Sequence, residues 1–109
     1  MVLKNQYGMK LFHRGIPRPA LLDLYETNDD MVYVISRIYV PPPLRGRGYG
    51  RMLLQEVCHE ADKHGATLLL TIAPYGEMDE HDLEEWYARH GFEGNWVDGM
   101  RREPRYGSE

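Results

Sequence analysis

The stretch from Met31 to Ala73 constrains the fold more than any other. Met31 to Val40 reads MVYVISRIYV, β-branched and aromatic almost without a break, which is the composition of a strand. Pro41, Pro42 and Pro43 end it, because none of them carries a backbone donor. After a glycine-rich run, Leu53, Leu54, Val57, Cys58 and Ala61 fall on one helical stripe, and Gly65 stands where that helix should stop. Thr67 to Ala73 reads as a second strand, closed by Pro74 and Gly76. Strand, helix, strand is a crossover, and crossovers make parallel neighbours. The near-continuous apolarity of 31–40 predicts a central strand buried on both faces.

The flanks read less sharply. Lys10 to His13 and Ala20 to Glu26 are short β-prone runs separated by a turn with two prolines, and Thr27 to Asp30 form another turn. A second helix is expected from about Asp79 to His90, with Leu83, Trp86, Tyr87 and His90 on one stripe and Gly91 as its stop. Phe92 to Asn95 and Asp98 to Arg102 read as two closing strands. With 109 residues the chain has room for one domain, 1–109. Hydrophobic residues at 42% and charged residues at 28% exclude wholesale disorder and a membrane-embedded class. The 13 basic against 17 acidic residues argue against a protein built on general attraction to nucleic-acid phosphates. Cys58 is the single cysteine, so neither an internal disulfide nor a cysteine-based zinc site is expected, and no metal is assigned. The opening residues lack the apolar core of a secretory signal, which makes the cytoplasm the expected compartment and a membrane no expected partner.

Chemistry enters at Arg45, Gly46, Arg47, Gly48, Tyr49, Gly50 and Arg51. This run joins a buried strand to a helix N-terminus, where backbone N–H groups converge and the helix dipole favours an anion. Glycine lets the backbone approach a phosphate closely, and the arginines add positive potential. A dinucleotide-binding GxGxxG starting at Gly46 would need glycine where Arg51 stands, and no Lys-Ser/Thr follows as in a P-loop.

The spacing RxxGxG, made by Arg45, Gly48 and Gly50, resembles that of the GNAT superfamily of acetyl-CoA-dependent N-acetyltransferases. Residues 38 to 54, IYVPPPLRGRGYGRMLL, resemble its strand, loop and helix, and residues 86 to 92, WYARHGF, resemble its second signature. The likeness spans about 31–102. It implies a mixed α/β (α+β) fold: a mainly antiparallel sheet, a central parallel strand pair splayed at the cofactor, and helices packed on it. It also implies acetyl-CoA as co-substrate and direct attack by an amine, of a small molecule or a protein, on the thioester.

The resemblance assigns roles as well. Main-chain N–H groups from Arg45 to Gly50 would grip the CoA pyrophosphate, with Arg51 adding charge, and the backbone of Ile38, Tyr39 and Val40 would pair with the pantetheine arm. A backbone N–H near Val40 would polarise the thioester carbonyl. Tyr87, followed by Gly91 and Phe92 as in YxxxGF, would protonate the departing thiolate. Glu26, at the end of an early strand, is the candidate base, with His13 no better placed. Cys58 lies on an apolar stripe and reads as a small buried hydrophobe rather than a nucleophile.

Two features depart from the family pattern. Residues 1 to 30 hold no helical stripe to supply the family's usual lid over the acceptor, and Glu80 stands about where an asparagine is frequent. A shortened acceptor side admits a protein amine, completion by a second subunit as a homodimer, or loss of catalysis. The competing readings are therefore a catalytically degenerate CoA-binding regulatory module and a small RNA-binding protein, the latter resting on RGRGYGR alone. Arg101, Arg102 and Arg105 read as phosphate contacts or as solubilising charges.

Overall fold

The computed structural model describes residues 2–5, 8–11, 19–72 and 79–105, the first two segments through their backbone alone. Among the described residues seven strands form one sheet: β1 (Val2–Asn5), β2 (Gly8–Leu11), β3 (Ala20–Glu26), β4 (Val32–Tyr39), β5 (Thr67–Leu70), β6 (Glu93–Asn95) and β7 (Gly99–Arg102). Their spatial order is β1-β2-β3-β4-β5-β7-β6. β4 and β5 run parallel, as the crossover requires, and every other neighbouring pair is antiparallel. The connection between β4 and β5 is α1 (Tyr49–His64), and α2 (Glu80–Ala88) precedes β6.

Local chemistry sets the helix ends. Gly65 takes φ 72°, and the Ala66 N–H reaches back to the Ala61 carbonyl at 2.7 Å, closing α1 with a left-handed glycine cap. Asp79 accepts the Asp82 N–H at 2.9 Å and so caps the start of α2. β1 has no counterpart in the sequence reading, because VLKN is too short and too mixed to show a period; its register with β2, Val2 opposite Leu11 through Asn5 opposite Gly8, makes it a strand. The strand expected at Lys10 to His13 is found at Gly8–Leu11. His13 and Ala73 lie outside the described residues.

Burial corrects one expectation. Ile35 is the one buried side chain of β4, with Val40 buried just past the strand, so β4 is not covered on both faces. Register explains why. Leu22, Ile35, Leu68, Leu70 and Met100 fall on one face and pack with Leu53, Leu54 and Val57 of α1. Leu21, Tyr25, Val34 and Leu69 fall on the other, where Tyr25 is 51% exposed and no described helix lies above it. Complete burial of a leucine such as Leu22 or Leu54 contributes about 2–3 kcal/mol, which concentrates the stabilisation on the α1 side of the sheet.

Candidate active site

β4 and β5 pair only from Val32 opposite Thr67 to Ile35 opposite Leu70. β5 ends there, while β4 continues through Ser36 to Tyr39. At the same level the β3–β4 register shifts: Leu24 faces Ile35 but Asp23 faces Arg37, so Ser36 is an extra residue on β4. Such a bulge bends the strand and increases its twist. Beyond Ile35 the β5-facing edge of β4 therefore has no strand partner among the described residues, and the sheet opens as a wedge.

A cavity of about 440 Å³ occupies this wedge. Ile38 and Tyr39 of β4 and Val40 just past it line one side, and Leu70 of β5 and the following Thr71 another. Gly46, Gly48 and Gly50 line it from the turn, and Leu83, Trp86 and Tyr87 from α2. Of these, Leu70, Thr71, Leu83 and Trp86 were not among the residues the sequence picked out as a site, because only the splay exposes the end of β5 and turns α2 toward it. Ser36 carries a signal in retrospect: odd positions Tyr33 and Ile35 pack on the core, then even positions Ile38 and Val40 do, and a reversal of that kind marks a bulge.

The glycine-rich turn is shaped for an anion. Gly46 and Gly48 have φ 78° and 80°, a region L side chains rarely adopt. A Cβ at Gly46 would meet nothing within 4 Å, so glycine is required there by conformation rather than crowding. The first helical hydrogen bond of α1 runs from Met52 N–H to the Gly48 carbonyl at 3.0 Å, and the N–H groups ahead of it lie at the open end of the helix. Among the described residues no side chain caps that end and no acid lies in its first turn, an arrangement in which the helix dipole favours an anion. A Cβ on Gly50 would stand 3.7 Å from Val40 and 3.8 Å from Trp86, filling the gap between α1, β4 and α2. A diphosphate followed by a narrow apolar arm fits this combination of donors, charge and space.

Arg45 lines the cavity and its Nε donates to the Val40 carbonyl at 2.9 Å, bracing the turn against the end of β4. Arg47 and Arg51 are exposed and stand outside the cavity wall, with the Arg51 guanidinium folded back beside Gly48. Tyr49 lines the cavity from the first residue of α1. The Tyr87 ring is half-buried and packs edge-on against Trp86 and Phe92, with centroids 5.0 and 5.6 Å apart. Glu26 is not brought to the site. It is exposed opposite Tyr33, roughly 17 Å along β3 from Leu21, which faces Tyr39 at the cavity end.

Arg102 also differs from its expectation as a phosphate contact or surface charge. It is 4% exposed and forks onto Asp62 of α1. Cys58, beside this pair, is buried, and burial raises its pKa to about 11, which keeps the thiol protonated and unreactive at neutral pH.

The two titrating groups of this region predict how stability follows pH. Burial, then the charges of Arg51, Arg89 and Arg102, hold His90 below its ordinary value of 6.5. The unfolded chain thus takes up this proton more readily than the folded one, so His90's contribution is present above that value and is lost as pH falls through the depressed one. Hydrogen bonds from Arg102 hold Asp62 below 3.8, which places a second loss at more acid pH. The melting temperature should begin to fall as pH drops below about 6.5, and His90→Gln should flatten that limb while leaving the more acid one. Scanning calorimetry across this range checks it.

Sheet topology, the wedge and the bare helix N-terminus together define an acetyltransferase of the GNAT type. The family model described as acetyltransferase (GNAT) domain matches residues 19–94, and the chain belongs to that family. The match starts earlier than the likeness read from the motifs, taking in β3, and stops short of β7. Solved structures agree on the fold. The ribosomal-protein-S18-alanine N-acetyltransferase from Escherichia coli superposes with a TM-score of 0.70 at 20% identity, over 98% of this chain and 76% of that one. N-acetylglutamate synthase from Neisseria gonorrhoeae, complexed with coenzyme A and L-arginine, gives 0.66 at 19% identity, over 91% of this chain and 25% of that one. The PaiA N-acetyltransferase from Thermoplasma acidophilum, in complex with coenzyme A, gives 0.62 at 17% identity, over 88% and 59%. A comparison with curated protein sequences finds no match.

Proposed function

We propose that this acetyltransferase transfers an acetyl group from acetyl-CoA to the amine of a protein or peptide, at the wedge between β4 and β5. The observation that carries the reading is one continuous cavity running from the N-terminus of α1, along the edge of β4 that has no strand partner among the described residues, to Tyr87.

Acetyl-CoA supplies, when bound, a thioester that a neutral amine can attack directly. The Arg45 N–H already donates to the Pro42 carbonyl at 3.2 Å, so the backbone N–H groups from Gly46 to Gly50 grip its diphosphate, and Ile38, Tyr39 and Val40 hold its arm as a strand added to the sheet edge. The main chain at Val40 polarises the thioester carbonyl. A C–N bond forms, the C–S bond breaks, the amine's proton passes to water and the Tyr87 hydroxyl gives its proton to the thiolate. The position of Glu26 removes it from this scheme.

The acceptor class follows from the uncovered face. Arg37 and Tyr39, which register places on the face without a described helix, also line the cavity. An amine carried on a bulky chain can approach from that side, where no helix lies among the described residues. Incubation with labelled acetyl-CoA and, separately, small amines, peptides and total cell protein should put acid-stable label on peptide or protein amines. Label confined to small amines would overturn the acceptor class. Binding of CoA with no label on any amine would instead show a CoA-binding module without transfer.

A further inference from the structure

Little of α2 is fully buried, although Trp86 and Tyr87 pack partly buried against the core. It has nine residues and one buried side chain, Leu83, and a helix so short is marginal without tertiary support. A polar clamp stands at its C-terminal end. Arg102 of β7 donates from Nη1 and Nη2 to the two carboxylate oxygens of Asp62 at 2.8 and 3.0 Å, and from Nε to the His90 carbonyl at 2.8 Å. Asp62 also accepts the Arg105 N–H at 2.8 Å. One planar guanidinium thus ties α1, β7 and the turn after α2 together, and it does so while almost fully buried. Gly91, at φ 95°, permits the approach, since a Cβ there would come within 3.1 Å of Arg102 Nε.

The clamped turn connects directly to the cavity wall. The His90 and Phe92 N–H groups both donate to the Tyr87 carbonyl, at 2.9 and 3.3 Å. The His90 ring lies edge-on to Trp86 with centroids 5.6 Å apart. We infer that Arg102 is a positioning residue: by joining Asp62 to the His90 carbonyl it fixes the last turn of α2, so that Trp86 and Tyr87 face α1 across the cavity. The inference rests on the reading of that cavity as the acetyl-CoA site.

Trp86 reports on its own position once Trp96, the other tryptophan, is replaced. In a Trp96→Phe parent, CoA should bind by calorimetry and should change Trp86 emission. Arg102→Lys in that parent keeps a cation beside Asp62, but one ammonium does not reproduce the three-way fork. It should bind CoA within about threefold of the parent, yet lose more than about half of the emission change. Val57→Ala, a core substitution in α1 away from the clamp, should lower stability and keep the full change. If Arg102→Lys does not fold, Asp62→Asn is read in the same way, because its amide donates where the fork needs an acceptor.

An undiminished emission change in the clamp variant, or an equal loss in Val57→Ala, overturns the positioning role and leaves the CoA site standing. A parent that binds no CoA overturns the site, and the inference with it. A parent that binds CoA with unchanged emission removes Trp86 from the wall and also overturns the inference.

Discussion

Gly48→Glu is expected to abolish the rise in melting temperature that CoA produces. At a CoA concentration about a hundred times its dissociation constant, binding adds about 2.7 kcal/mol to stability, or roughly 10–20 °C for a domain of this size. The substitution acts twice on the site. Glutamate at φ 80° is strained in a left-handed conformation, which distorts the first turn of α1, and its carboxylate competes for the donors that would hold the diphosphate. The strain lowers the melting temperature of the unliganded chain as well, so the measurement is the shift on adding CoA. Gly48→Ala carries the strain without the charge and should keep part of the shift. A full shift in Gly48→Glu would remove the turn from the cofactor site.

Tyr87→Phe is expected to lower kcat by about 10²–10⁴ with little change in KM for acetyl-CoA, the range for loss of a general acid. Phenylalanine preserves the edge-on packing against Trp86 and Phe92, so the fold and the cavity wall should persist. Steady-state kinetics on the amine that accepts label separate the two parameters. A loss in KM alone would make Tyr87 a wall residue and move the proton donor elsewhere.

The parts of the site that were legible in the sequence are the ones written in local chemistry. Three prolines end β4, glycines mark the left-handed turn, and the stripe Leu53, Leu54, Val57, Cys58 and Ala61 is buried as its period requires. Trp86 and Tyr87 sat on a helical stripe that reads equally well as core; both pack on the core and line the cavity. Glu26 shows the opposite case. Its place at the end of a strand was plain, but which end of the sheet held the cavity depended on where β5 stops. Arg102 was one of three arginines in a short tail segment, and nothing nearby in the chain distinguishes it from Arg101, which is exposed and paired with Glu103. Its partner is Asp62, 40 positions earlier in the chain.

The sequence by itself determined the strand–turn–helix–strand unit, its parallel pairing and the left-handed glycines of its turn. Periodicity, glycine and proline act over a few residues and need no distant partner to be read. The tertiary structure decided the bulge at Ser36, the early end of β5, the face on which no described helix lies and the clamp on α2. Each of these depends on register or charge pairing between segments far apart in the chain, and such pairings are selected by the energy of the assembled sheet rather than by the residues on either side.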